Sequence, residues 1–228
     1  MNTLGKIAIH MLMFTVFVLG AVALAHADTT YNFTLDHCTG SCGPANTIFG
    51  TVVLHQVISS EVQVTVSLNS PYELVETGFP GTFGFNLNGI SSINISGLPA
   101  GFGTATANPQ TAGSNHFDGL GLFDYIVTDT KGNGAAHNDG SSFSFDVIAS
   151  GLTVGSFAQL STIPPGSERA DFVVDIYNSS ATGTFAGKTG PVGALLAPTV
   201  VPEPGTLALF GTGLIGLAGM MRRKLLRF

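Results

Sequence analysis

Polar and apolar residues alternate along much of the middle of this chain. From Glu61 to Leu68, the apolar Val62, Val64, Val66 and Leu68 interleave with Glu61, Gln63, Thr65 and Ser67. Successive strand residues point to opposite sides, so such a segment offers one face to a core and the other to water. The same period runs through Thr82–Leu87 (Phe83, Phe85, Leu87), Ser142–Ala149 (Phe143, Phe145, Val147) and Asp171–Tyr177 (Phe172, Val174, Ile176). Weaker versions occupy Thr29–Leu35, Thr47–His55, Tyr72–Glu76, Ser92–Ser96, Gly121–Thr128 and Ser156–Leu160. Helical periodicity is missing from this region. About ten short strands separated by turn residues predict an all-β domain, an antiparallel β-sandwich of jelly-roll-like form.

Both ends break the pattern. Lys6 precedes an apolar stretch, Ile7–Leu24, and Ala25-His26-Ala27 then supplies the small-x-small pattern that signal peptidase reads. Asp28 is the expected mature start, and an uncleaved N-terminal membrane helix is the alternative. At the other end, Gly205–Met221 is a 17-residue apolar run, near the short limit for a membrane-spanning helix. Pro204 stands where a helix start best tolerates a missing N–H. Arg222, Arg223, Lys224 and Arg227 follow, and the positive-inside bias places that end in the cytoplasm. The expected organisation is a signal helix (1–27), a β-sandwich (28–193), a proline-punctuated linker (194–204), a transmembrane helix (205–221) and a basic tail (222–228).

Composition sharpens this division. Mean hydropathy is +0.39, but the apolar excess lies at the ends. Residues 28–200 hold Lys131, Arg169 and Lys188 against thirteen Asp and Glu, a formal charge of −10. Such a surface repels nucleic acid and anionic headgroups, which excludes both as partners of the body. The 17 phenylalanines outnumber the four tyrosines, and tryptophan is absent. Most of these phenylalanines fall on the apolar faces and read as core. Tyr31, Tyr72, Tyr125 and Tyr177 are the residues from which an aromatic binding platform would have to be made.

Cys38 and Cys42 flank Thr39-Gly40-Ser41. An even cysteine count in an exported chain predicts a disulfide that closes a tight loop. Free thiols are one alternative. A metal site drawing on His37, both cysteines and His55 is another, although it lacks the second ligand pair usual for zinc. Two long connections, Gly97–Gly119 and Asp129–Ser141, gather His116, Asp118, Asp129, His137 and Asp139. Loops on a rigid scaffold are common binding positions, and their oxygen ligands would suit Ca²⁺. The spacing of an EF-hand is absent, so solvated turn residues are the simpler reading and no metal site is assigned. No nucleophile elbow, zinc-protease helix motif or phosphate loop occurs, and no cofactor is expected. Asn32, Asn94 and Asn178 begin glycosylation-type sequons.

The order of features at the C-terminus carries a resemblance. Pro202-Glu203-Pro204, a short glycine-bearing apolar run and an arginine-rich end resemble the PEP-CTERM sorting signal of Gram-negative bacteria. The resemblance covers about 28 residues. It implies recognition by exosortase, a membrane-embedded cysteine protease-transpeptidase, with transient residence in the inner membrane and removal of the helix. Asp171–Gly193 also resembles the strand and linker that often precede such tails. Family members are typically exported and linked to extracellular polysaccharide and biofilm matrix. The expected function is therefore that of a non-enzymatic surface or matrix protein. An extracellular polysaccharide-binding module, accompanied by weak Ca²⁺ binding, is the alternative, and a secreted hydrolase ranks below both.

Overall fold

The computed structural model describes residues 28–78, 81–104, 115–162 and 168–197, together with Gly213. Thirteen strands form among the described residues: β1 Thr29–Asp36, β2 Gly50–Ile58, β3 Glu61–Leu68, β4 Tyr72–Leu74 and β5 Phe83–Phe85. Then come β6 Asn94–Ser96, β7 Phe102–Thr104, β8 His116–Phe117, β9 Gly121–Leu122 and β10 Tyr125–Asp129. The last three are β11 Ser142–Ile148, β12 Phe172–Asn178 and β13 Thr189–Leu196. Two 3₁₀ turns, Ala135–His137 and Val154–Phe157, lie among these strands, and Gly213 is helical. None of the described helices is long and apolar enough to cross a membrane. The expected signal helix and transmembrane helix lie outside the described residues.

The all-β, antiparallel expectation holds, but a single sheet builds the layered core. Hydrogen bonding runs unbroken along β6-β11-β3-β2-β1-β13-β12-β5-β10-β7, with β4 beside β12 and β8–β9 as a separate hairpin. The sheet doubles over on itself into a nearly barrel-like form. Phe102, on the last strand of that path, stacks on Phe143 of β11 near its other end, with ring centroids 4.5 Å apart. Phe83 of β5 meets Phe143 and Phe145 edge-on at 5.7 and 6.0 Å. Register shifts at Phe33/Leu35 in β1 and Gln56/Ile58 in β2 supply local bends, since an extra residue in one strand increases curvature and twist. Fully burying a phenylalanine such as Phe83 or Phe145 contributes about 1.5–3 kcal/mol.

Alternation is realised where one face meets water. In β3, Val62, Val64, Val66 and Leu68 are buried and their neighbours partly exposed. β12 differs because both of its faces are covered. Phe172, Val174 and Ile176 face the main core, whereas Val173 joins a second cluster with Phe117, Leu120, Phe123, Ile126 and Ala170. The β8–β9 hairpin carries Phe117 and brackets Leu120, and so forms an outer layer over this part of the sheet.

Four expectations need correction. Ser156–Leu160 is not a strand: Thr153 and Ser156 cap each other reciprocally and wind Val154–Phe157 into a 3₁₀ turn that buries Phe157. The Gly121–Thr128 segment divides at Phe123–Asp124, where Asn86 Oδ1 accepts the Asp124 N–H at 2.7 Å and draws the backbone off the ladder. The Gly97–Gly119 connection contains β7 and β8. Finally, β13 runs through Leu196, so the first three residues of the expected linker are sheet.

Pro191 explains why β13 is hard to recognise. A strand residue's N–H and C=O point to the same side. The Pro191 carbonyl accepts from His37 N–H at 3.1 Å, just past the end of β1. Its missing donor therefore falls beyond β1 and leaves the β12 ladder intact. Gly193 is needed for close packing: a Cβ there would lie 2.8 Å from Leu120 Cδ2 and 2.9 Å from Ala170 Cβ.

Candidate functional site

Two loop systems hold the chemistry-bearing side chains of the body. In the first, Cys38 and Cys42 form a disulfide across a Cα separation of 5.5 Å. Asp36, the last residue of β1, reaches into this loop. Its Oδ1 accepts the Cys38 N–H at 3.0 Å, and its Oδ2 accepts the Cys42 N–H at 2.9 Å and the Ser41 hydroxyl at 2.5 Å. Asn178 of β12 donates to the Cys42 carbonyl at 2.9 Å. Gly190 passes so near that a Cβ would sit 2.6 Å from Cys38 Cα. The expected disulfide is thus packed against the sheet.

The metal alternative at this loop does not assemble. The two sulfurs are bonded to each other, leaving no thiolate, and Asp36 is the third group beside them. His37 Nε2 instead lies 3.2 Å from Glu168, and His55 Nδ1 lies 2.7 Å from Asp28.

The second system is acidic and is organised by the chain after β4. Thr77 gives both its N–H, at 3.0 Å, and its hydroxyl to Asp175 Oδ2. Asp175 lies on β12 and is only 4% exposed. Burial pushes its carboxyl up to about 7; the Thr77 bonds act against that, while the Glu76 and Asp118 charges reinforce it. A cavity of about 90 Å³ beside it is lined by Thr77, His116, Asp118 and Asp175 among others. His116 Nδ1 lies 3.6 Å from Asp118 Oδ1 at its exposed side.

Asp129 and Asp139 meet nearby, at the base of the β10–β11 connection. Asp129 N–H donates to Glu76 Oε2 at 3.0 Å, and Asp129 Oδ1 accepts the Lys131 N–H at 2.6 Å. The Lys131 ammonium donates to Asp139 Oδ1. Burial raises the Asp129 carboxyl, and the adjoining Asp139 carboxyl pushes the same way, against the Lys131 amide and charge. Burial also raises Glu76, partly offset by the bond from the Asp129 amide.

Of the loop residues singled out in the sequence, the fold pairs Asp129 with Asp139 and His116 with Asp118. His137 stands exposed in its 3₁₀ turn. Glu76, Thr77 and Asp175 were not legible as site residues. Asp175 occupies a regular polar position in an alternating strand and gives no local sign that an outer layer will cover it. The Asp129–Asp139 pair is suited to share a proton, since two adjoining carboxyls disfavour double ionisation. Tyr31, Tyr72 and Tyr125 are buried and so contribute no exposed platform.

The sorting residues Pro202, Glu203 and Pro204, and the basic residues Arg222, Arg223, Lys224 and Arg227, lie outside the described residues. Comparison with protein families addresses them directly. A family model described as the PEP-CTERM protein-sorting motif matches residues 200–224. The match takes in the Pro-Glu-Pro triplet and the basic run through Lys224, and it stops short of Arg227. The chain carries a PEP-CTERM sorting motif, which implies an exported protein whose membrane-anchored signal is processed by exosortase. No curated protein and no solved structure matches the chain.

Proposed function

We propose that this chain is a non-enzymatic protein of the cell surface or extracellular matrix. It is exported behind its N-terminal signal, held at the inner membrane by its C-terminal apolar run, and sorted and processed by exosortase through its PEP-CTERM signal. The observation that carries this reading is the sorting-motif match at residues 200–224, immediately after an acidic, disulfide-bearing all-β body. A disulfide suits an oxidising extracytoplasmic compartment. The strong negative charge of the body keeps it soluble and away from anionic lipid. In this scheme the apolar tail is a handle for the processing enzyme, consistent with other C-terminal sorting tails in which a hydrophobic segment holds the substrate until cleavage.

Glu203→Ala tests the motif in the native host. The variant should pass through the export machinery and accumulate as a membrane-bound full-length form, read by intact-mass spectrometry of membrane and extracellular fractions. A mature mass and yield identical to those of the parent would count against processing at this motif.

A further inference from the structure

The β10–β11 connection brings an amine and two carboxyls into mutual contact. The Lys131 ammonium donates to Asp139 Oδ1, and the Lys131 N–H donates to Asp129 Oδ1 at 2.6 Å. The Asp129 and Asp139 carboxyls also meet each other. Asp129 is 7% exposed and the Asp139 side chain 1%, whereas the Lys131 side chain keeps 49%. Oδ2 of Asp129 and Oδ2 of Asp139 are both buried, and no other group among the described residues donates to either. Buried carboxyl oxygens are normally matched, and one proton held between the two carboxyls supplies the missing donor. Burial raises the Asp129 carboxyl, and the adjoining Asp139 pushes the same way, so Asp129 is the group that keeps this proton.

The surrounding backbone holds the amine against the carboxyl. Asp139 N–H donates to Leu74 O at 3.0 Å, Leu74 N–H to Gly140 O at 2.7 Å, and Gly134 N–H to Glu76 O at 2.7 Å. On the other side, Thr130 N–H donates to Gly101 O at 2.8 Å. Gly101 adopts φ +103°, and a Cβ on it would lie 3.0 Å from both Asp139 Oδ1 and Lys131 Cε and 3.4 Å from Lys131 Nζ. Glycine there leaves the space in which the lysine end and the carboxyl meet. Both partners therefore stand on anchored stretches of chain, and a reaction between them has no encounter cost left to meet.

We propose that Lys131 and Asp139 join in an intramolecular isopeptide bond, with Asp129 as the general acid. The bond to Asp139 raises the Lys131 ammonium, so the free amine forms within the pair, by passing a proton to the Asp139 carboxylate. Lys131 Nζ then attacks Asp139 Cγ, and the C–N bond forms. Asp129 gives its proton to an Asp139 oxygen as that C–O bond breaks, and recovers one from the nitrogen. Two of the three ammonium protons leave with the oxygen as water, and the third stays on the amide nitrogen. Ammonium and carboxylate become amide and water, so no co-reactant is required. Exclusion of water from Asp139 disfavours the reverse hydrolysis. The bond closes a covalent ring across the β10–β11 connection, and it does not depend on how the tail is processed.

The test is mass spectrometry of the full chain, purified in detergent, incubated folded at neutral pH, then denatured and digested with elastase. Elastase cuts after alanine, and Ala135 and Ala136 lie inside the ring. The two resulting peptides should stay joined at Lys131 and Asp139, with a combined mass one water below their sum. Lys131→Arg and Asp139→Ala should give separate peptides, whereas Asp146→Asn, on β11, should stay joined. Asp129→Asn should slow joining by about 10²–10⁴-fold, the usual worth of a positioned general acid. Separate peptides from the parent chain would overturn the proposal, whether or not any variant folds. A water loss that persists in Lys131→Arg would overturn it too, by assigning the loss to a succinimide at Asp139-Gly140. Joining at the parent rate in folded Asp129→Asn would strike out the acid.

Discussion

The disulfide loop and the acidic loop are both organised by aspartates, and they use them in opposite ways. Asp36 collects three donors from the loop it closes, so its carboxylate acts as a local template for the backbone of Cys38–Cys42. Asp175, Asp129 and Asp139 lie under more protein and have fewer donors for their charge. Asp175 has Thr77 alone among its side-chain hydrogen-bond partners, and Asp129 and Asp139 each keep one oxygen unmatched. A carboxylate supplied with donors stabilises the fold it sits in, whereas one deprived of them makes the fold responsive to protons. The difference arises from position. Asp36 stands at a strand end, where the turning chain presents free amides. Asp175 stands mid-strand, where the neighbouring amides are committed to ladders.

The largest expected effect follows from Asp175. Its folded value of about 7 is above the ordinary 3.8, so between those limits the native state retains a proton that the unfolded chain has released. Stability therefore falls as pH rises from about 4 to 7, by at most roughly 4 kcal/mol in all. Asp175→Asn keeps an oxygen for Thr77 and removes the ionisation, so its stability should vary much less across this range. Urea midpoints at several pH values, with EDTA present, measure the slope for both proteins. Equal slopes would shift the pH response to the other raised carboxyls, Glu76, Asp124, Asp129 and Asp171.

Asp36→Ala tests the other side of the contrast. It strips the acceptor from two amides and a hydroxyl, one of the amides belonging to the fully buried Cys42. Leaving such donors unmatched should cost about 2–4 kcal/mol in denaturant unfolding. The change should be accompanied by faster amide exchange confined to residues 38–43. A loss below about 0.5 kcal/mol, the usual range of a neutral surface substitution, would show that the loop holds its shape without this template.

The two regions also differ in how far the sequence foretold them. Period-two alternation identified β3 with its full bounds and β11 to within a residue, because each shows one face to the core and one to water. The spacing of Cys38 and Cys42 likewise located a short-range link that needs no knowledge of tertiary structure. β13 escaped because glycine and proline there serve long-range demands: close approach at Gly190 and Gly193, and a strand end opposite Pro191. Part of the acidic site escaped for the same reason. Asp129 and Asp139 share one connection and were singled out in the sequence, but Glu76 and Asp175 lie far from them in the chain, and only the path of the sheet brings these groups together. The tail is legible in a different sense, since its motif is read by another protein as a linear pattern and needs no folded partner within this chain.

The smallest effect is expected from the disulfide itself. Its two cysteines are four positions apart, so the bond removes little freedom from the unfolded chain. The chain-entropy relation gives about 2 kcal/mol for a ring of this size. Cys38→Ser with Cys42→Ser should therefore destabilise the body no more than Asp36→Ala does. Combining all three substitutions sharpens the comparison. If the bond and the carboxylate hold the same loop conformation, the loop is already released once either is removed, and the remaining partner has less to stabilise. The combined loss should then be smaller than the sum, by about 0.5–3 kcal/mol as is usual for groups in contact. Simple additivity in that cycle would mean that Asp36 stabilises the sheet end independently of the bond, and would remove its role as the template of the disulfide loop.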